Sequence, residues 1–320
     1  LEHLSEVEAT GTIDTVQVWE WSEGRLEDLS PLAALEGLKG LSLHGCRKAA
    51  DLSPLSELEA LTSLDLYGTA AADLAPVTDA PLTWLDVRRT KLTAETAPTL
   101  ARFEKLTTLK VSAYGPDETP LPLAETLPQL AALRDLSVVF GIARWSEPVD
   151  PAPDLTWLTG LDGLTSLTLH GYAEEPPDLE PLASLGSLRR LTLYVGRSSP
   201  EDGPGLPYGH STMGYYDKFE RALAISPLEA LTDLRALDLS YEGPVSGVEA
   251  LGQLPVLEKL SLKATGDIEV PEFTHPERLK HIEFAEFELV IKEPWLGIVS
   301  YKRLGALHNL ESLSLHGCTL

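Results

Sequence analysis

Leucine recurs along the chain in a phrase whose period changes partway. Residues 51–69 read DLSPLSELEALTSLDLYGT, with leucines at Leu52, Leu55, Leu58, Leu61, Leu64 and Leu66. Steps of three place the first of these on one face of a tight turn or short helix. The closing step of two puts Leu64 and Leu66 on one face of a strand. Ser53-Pro54 predicts the start of the turn, with Ser as its cap and Pro at the first helical position. A unit this small cannot bury its own leucines, so copies must stack on either side of it.

The chain supplies those copies. LxxLxL or a close variant occurs at 38–43, 61–66, 82–87, 106–111, 133–138, 164–169, 188–193, 234–239, 257–262, 279–284 and 310–315, with a degenerate copy at 13–18. Each phrase predicts one strand, and the commonest spacing is about 23 residues, within the range of leucine-rich repeats. The turn phrase recurs too, as Ser30-Pro31-Leu32, Ser53-Pro54-Leu55, Ala75-Pro76-Val77, Glu180-Pro181-Leu182 and Ser226-Pro227-Leu228. On these motifs the chain resembles leucine-rich-repeat proteins of the short bacterial, internalin-like type, over residues 13–320. The resemblance implies an α/β fold: a right-handed solenoid (horseshoe) of about 12 repeats. It further implies a parallel concave sheet and a convex side of turns, 3-10 pieces and short helices. The family's Asn at the end of each strand unit is replaced by Cys46, Thr69, Thr90, Tyr114, Tyr172 and Cys318. Cys and Thr donate fewer hydrogen bonds than Asn, so a less regular ladder is expected.

Residues 1–320 are therefore expected to form one solenoid domain, with insertions at about 115–129, 141–154, 196–219 and 286–303. The third insertion, GRSSPEDGPGLPYGHSTMGYYDKF, holds Tyr208, His210, Tyr215, Tyr216 and Phe219, more aromatics than a disordered linker carries. Neither end shows the polar cap a solenoid needs, so the chain reads as a segment of a longer protein.

Charge narrows the function classes. The formal net charge is −24 over 320 residues, which repels nucleic-acid backbones and anionic membranes alike. No apolar run approaches the roughly 20 residues of a membrane helix. The two cysteines, Cys46 and Cys318, lie about ten strand steps of roughly 4.8 Å apart in the repeat reading, too far to pair. Two lone thiols suit a reducing compartment, so a cytoplasmic location is expected. There is no GxxxxGK[ST], HExxH, CxxC or GxSxG, and neither a cofactor nor a metal site is implied. The expected role is a binding module, not an enzyme.

The repeat reading also predicts which residues face outward. One column after the inward pair includes Trp19, His44, Tyr67, Arg88, His170, Tyr194, Lys263 and His316. The column between the inward residues includes Asp65, Asp86 and Glu283, and the one before adds Trp84, Arg190, Lys259 and His281. Two clusters emerge. The first is Trp19, His44, Tyr67, Trp84 and Arg88, with Asp65 and Asp86. The second is His170, Arg190 and Tyr194, beside the aromatic insertion. Aromatics and Arg dominate binding hot spots, whereas ladder packing alone would also place rings side by side. Asp65 and Asp86 are expected to be neutralised by Arg88 and Arg89, and His281 and Glu283 to form a salt-bridged patch with Lys259 and Lys263. His44, His170 and His316 are too far apart to share a metal.

The phrase DLSPLAALxxLxxLxL with little Asn further resembles the C-terminal repeat regions of actinobacterial NACHT or STAND ATPases, bacterial relatives of NOD-like receptors. That resemblance implies a sensor or autoinhibitory arm in antiphage defence. Its partner would be a protein or peptide ligand, a phage protein among them, or an NTPase domain of the same polypeptide. A secreted or surface internalin-like adhesin, or a scaffold that clasps a partner enzyme, is the alternative.

Overall fold

The computed structural model describes residues 14–18, 26–140, 153–173, 175–196, 219–265, 267–268, 270–285, 288–289 and 307–316. The chain forms two compact units, Leu1–Val139 and Phe140–Leu320. In the first, strands β1 (Thr15–Gln17), β2 (Gly40–Ser42), β3 (Ser63–Asp65), β4 (Trp84–Asp86), β5 (Thr108–Ser112) and β6 (Asp135–Phe140) pair in chain order, all parallel. Leu41, Leu64, Leu85, Leu109 and Leu136 stand opposite one another in register, and all are buried. Each inward leucine thus packs on the same leucine of the next copy. This shared burial is why a repeat of about 23 residues, too small to fold alone, is stable in a stack.

The second unit repeats the scheme with β7 (Ser166–Tyr172), β8 (Arg190–Gly196), β9 (Leu223–Ala224), β10 (Ala236–Ser246), β11 (Lys259–Thr265), β12 (Asp267–Ile268), β13 (His281–Ala285), β14 (Glu288–Leu289) and β15 (Ser312–His316). The series β7, β8, β10, β11, β13 and β15 is parallel and in register through Leu167, Leu191, Leu237, Leu260, Ile282 and Leu313. Each LxxLxL phrase yields a strand, as expected. Strands β9, β12 and β14 were not foreseen: β9 joins the far end of β10, and β12 pairs with β14. The opposite side of the repeats is built from 3-10 turns such as Ser30–Ala34, Ser53–Glu57 and Ser226–Ala230. The two α-helices among the described residues, α1 (Leu123–Thr126) and α2 (Glu249–Gly252), have one turn each.

Three details refine the sequence reading. The turns are not capped by Ser. Ser53 is the first residue of its turn, and its side chain makes no cap hydrogen bond. Its backbone N–H instead donates to Asp51 Oδ1 at 2.9 Å. Asp28, Asp73, Asp154 and Asp178 accept in the same way from Ser30, Ala75, Thr156 and Glu180, at 2.8–3.0 Å. An Asp two residues ahead reaches the orphan N–H of the turn with a full negative charge, a stronger acceptor than a hydroxyl.

The insertion expected at 115–129 is folded. Gly115 and Leu121 close a tight loop through Gly115 N to Thr119 O (2.9 Å) and Leu121 N to Ala113 O (2.8 Å). It then continues into α1 and a 3-10 turn, Leu127–Gln129, that bury Leu123 and Leu127. Last, the two threonines in the Asn place close their own turns. Thr69 and Thr90 donate to Leu66 O and Val87 O, at 2.8 and 2.7 Å. Buried Cys46 points across to Val18 O of the neighbouring copy, its Sγ 3.9 Å away. Cys318 lies outside the described residues.

Candidate functional site

The outward face of β2 to β5 carries the first cluster. In register, Ser42, Asp65, Asp86 and Lys110 form a row, and each strand of three residues is followed by one outward side chain: His44, Tyr67, Arg88. The strands stop short because the next residue is left-handed: Gly45 (φ 76°), Gly68 (φ 68°) and, where glycine would be expected, Arg89 (φ 54°). This turn swings His44, Tyr67 and Arg88 onto one surface instead of continuing the pleat.

Each Asp of the row organises the residue two positions on. Asp65 accepts from Tyr67 N (3.0 Å) and Ser42 Oγ (2.9 Å), and His44 Nδ1 lies 3.3 Å from it. Asp86 accepts from Arg88 N (3.1 Å), from Arg88 Nε and, at 2.6 Å, from Arg88 Nη2. Above this layer the rings stack. His44 and Tyr67 are nearly parallel with centroids 4.5 Å apart. The guanidinium carbons of Arg88 and Arg89 lie 5.3 and 5.8 Å from the Tyr67 centroid, and Lys110 Nζ lies 5.1 Å from that of Trp84. These are cation–π distances. Burial works against the Arg88 charge, but the hydrogen bond and charge of Asp86, with Tyr67 and Asp65 behind them, outweigh it. The Arg88 pKa therefore stands above its ordinary value. The cluster is two adjoining groups: His44, Tyr67, Arg88 and Arg89 stacked just past the strand ends, and Trp84 with Lys110 nearer the strand starts, Trp84 lying roughly 13 Å along β4 from Arg88.

This geometry sorts the expected residues. His44, Tyr67 and Trp84 are half-buried, each offering part of a ring to solvent. Asp86 is only 3% exposed and cannot meet a partner; it holds Arg88 in place. Arg88 neutralises Asp86 as expected. Arg89 does not join it, and Asp65 is instead engaged by Ser42 and His44. Trp19, Tyr208, His210, Tyr215 and Tyr216 lie outside the described residues. Lys110 and Arg89 were not singled out for binding in the sequence. Lys110 could have been found by its place in the row beside Trp84.

The second cluster changes membership. His170 meets Tyr194 edge-on at 4.6 Å and Tyr172 at 5.9 Å, and Tyr194 Oη donates to Glu242 Oε1 at 3.3 Å. Arg190 does not belong here. It opens β8 four residues before Tyr194, roughly 13 Å away along the strand. Phe219 is not a loop aromatic on offer to a ligand. It is buried and stacked on Tyr241 at 4.7 Å, and the Tyr241 hydroxyl donates to Arg221 O. The stack needs glycine at 243, where a Cβ would fall 2.6 Å from Phe219 Cβ.

The salt-bridged patch also rearranges. His281 faces Glu311, with Nε2 to Oε2 at 3.8 Å, and Glu283 accepts from Ser261 Oγ at 3.3 Å. Lys259 makes no ion pair among the described residues.

The repeated strand-and-turn units, stacked in parallel register, define leucine-rich-repeat architecture. No family model matches the chain, and no curated protein matches it. Among solved structures, an internalin (inlF) of Listeria monocytogenes is 21% identical, covering 90% of this chain and 70% of its own, at TM-score 0.47. A leucine-rich-repeat protein of Leptospira interrogans is 16% identical, covering 90% and 75%, at TM-score 0.49. The Arabidopsis receptor kinase HAESA, in complex with a peptide hormone and a co-receptor, is 19% identical, covering 88% and 44%, at TM-score 0.50. The repeats of both units have the leucine-rich-repeat fold, and HAESA is similar to this chain in fold.

Proposed function

We propose that this chain is a recognition module whose first unit binds a protein or peptide partner through His44, Tyr67, Trp84, Arg88, Arg89 and Lys110. The observation that carries the reading is the platform itself. The half-exposed Tyr67 ring is held by the His44 stack and by Arg88 and Arg89, and the Trp84 ring by Lys110, over carboxylates that fix the backbone beneath. Such a surface loses little side-chain freedom on binding, and it is built of the residue types that dominate hot spots. Packing alone does not call for Arg89, which holds a left-handed backbone conformation to stay beside Tyr67.

The finer reading rests on the resemblance of the turn and strand phrases. We propose that the module is the sensor or autoinhibitory arm of a bacterial NACHT or STAND defence protein, cytoplasmic, with a phage protein or the NTPase of the same polypeptide as partner.

The test uses the complete open reading frame that encodes this chain, expressed in a susceptible host and challenged with a phage panel. The wild type should lower plating efficiency for at least one phage. Tyr67→Ala with Trp84→Ala should restore plating, while the purified variant melts within a few degrees of the wild type. Unchanged protection by a folded double variant would overturn the assignment of the surface. A reading frame with a secretion signal and no NTPase would overturn the defence role.

A further inference from the structure

A second surface lies in the other unit and is independent of the aromatic platform. Strands β8, β10, β11, β13 and β15 begin in register at Arg190, Ala236, Lys259, His281 and Ser312. One residue earlier stand Arg189, Arg235, Glu258, Lys280 and Glu311, linked in series by backbone hydrogen bonds of 2.7–2.9 Å. Two rows of side chains at strand spacing, about 4.8 Å per step, therefore flank a groove of about 570 Å³ along the strand starts.

The charge in this groove runs against the rest of the molecule. The chain has 49 acidic and 25 basic residues, yet five Lys and Arg line the groove with two Glu. The Glu258 carboxylate sits between Arg235 Nη1 (2.8 Å) and Lys280 Nζ (3.8 Å), and Glu311 faces His281. Both acids are thereby engaged. Arg189, Arg190 and Lys259 are exposed and make no ion pair among the described residues. Between Arg190 and Lys259 the row holds only Ala236, so the floor there is small and uncharged. At about 10 Å, two strand steps, these exposed charges are largely screened from each other at physiological ionic strength, where the Debye length is about 8 Å, so both are available to an anion held between them.

We infer that the groove at the strand starts of the second unit binds an acidic peptide segment of a partner protein. One carboxylate sits over Ala236 between Arg189, Arg190 and Lys259. Carboxylate is the favoured ligand over a nucleic-acid phosphate for two reasons. The free cations are three and grouped, not a track that follows a backbone. Glu258, Glu311, Glu283 and Asp238 lie close by, in a protein whose overall charge repels polyphosphate. Arginine recognises a carboxylate with two parallel hydrogen bonds, and Lys259 adds a point charge from the other side. In a polyproline II segment, with three residues per turn and about 3.1 Å rise each, acids at every third position share one face, so successive carboxylates meet the groove at steps of about 9 Å.

The test is fluorescence anisotropy on the whole chain with three labelled probes. These are a peptide of about ten residues with Asp or Glu at every third position, the same peptide with Asn and Gln in their place, and a single-stranded oligonucleotide of matched length. The acidic peptide should bind, weaken with added salt, and lose about tenfold or more in affinity in Arg190→Gln with Lys259→Gln. Its affinity should hold in Arg47→Gln with Lys48→Gln, which removes the same charge from an exposed site in the first unit. Melting temperatures within a few degrees would show that both variants are folded. Equal loss in both variants, or no binding of the acidic peptide, would overturn the groove. Oligonucleotide binding as tight as that of the peptide, lost in the same variant, would overturn the peptide assignment in favour of nucleic acid.

Discussion

Position 89 shows how one residue serves both backbone and surface. Gly45 and Gly68 hold the same place in the preceding copies, both with positive φ, where a side chain is strained. A Cβ on Gly68 would meet only ordinary contacts at 3.7 Å or more, so substitution there is limited by backbone preference and not by space. Gly68→Ala should therefore cost roughly 1–2 kcal/mol in urea unfolding. Arg89→Gly should leave stability level or raise it by up to about 1 kcal/mol, since relief of strain is partly offset by a freer unfolded chain. The same variant should weaken partner binding, because it removes a guanidinium from the Tyr67 face. Glycine at 45 and 68 is legible as a turn in the sequence; an arginine that stands in for it is not. The pairing of Arg88 with Asp86 was legible from proximity along one strand. The displacement of Arg190 from Tyr194 was already implied by their columns, four residues apart on one strand, and was missed because the cluster was grouped by face alone.

Among elements, the strands of the LxxLxL phrases were read correctly, β9, β12 and β14 were not foreseen, and the caps of the turns were misattributed. Inward leucines must alternate and must meet their counterparts, so LxxLxL fixes both the existence and the register of each strand. Strand length follows from what comes after the phrase. A left-handed residue halts β2, β3 and β4, whereas β10 runs on to Ser246. The capping Asp stands ahead of the turns at Ser30, Ser53, Ala75, Thr156 and Glu180, though Ala224 takes its place before Ser226, and Ser and Pro draw attention away from it. Asp28, Asp51 and Asp154 have lowered pKa values, caused first by the hydrogen bond to the side chain of Ser30, Ser53 or Thr156 and then by the backbone N–H. A lowered folded-state value means that the unfolded chain takes up protons first on acidification. The caps thus contribute fully above the unfolded value of about 4, and that contribution is lost as pH falls through the lowered values. Combined Asp28→Asn, Asp51→Asn and Asp154→Asn should flatten the melting temperature between about pH 5 and pH 2 relative to wild type, since Asn still accepts but does not titrate. Parallel pH profiles for variant and wild type would show that the caps do not govern acid stability.

At the scale of the whole chain, net charge proved a poor guide to local chemistry. The −24 total says what the protein repels on average, and it hid a groove in which cations outnumber acids. Composition averages over positions that the repeat brings together from residues 189 to 311. The solenoid has another consequence in the way its copies are tied. Backbone bonds such as Thr62 N to Lys39 O, Thr83 N to Thr62 O and Thr107 N to Thr83 O reach only to the adjacent copy. Among the described residues no contact of this kind spans a unit, so each copy is held by its two neighbours and opening one removes support from the next. In the first unit, amide exchange should be graded accordingly: Trp84 N and Thr108 N, with partners on both sides, should exchange more slowly than Gly40 N beside β1. Uniform protection across β1 to β5 would instead mean that the unit opens all at once. A partner that spans several outward columns would then act as a clamp, joining copies that the backbone ties only pairwise and slowing exchange across every copy it touches.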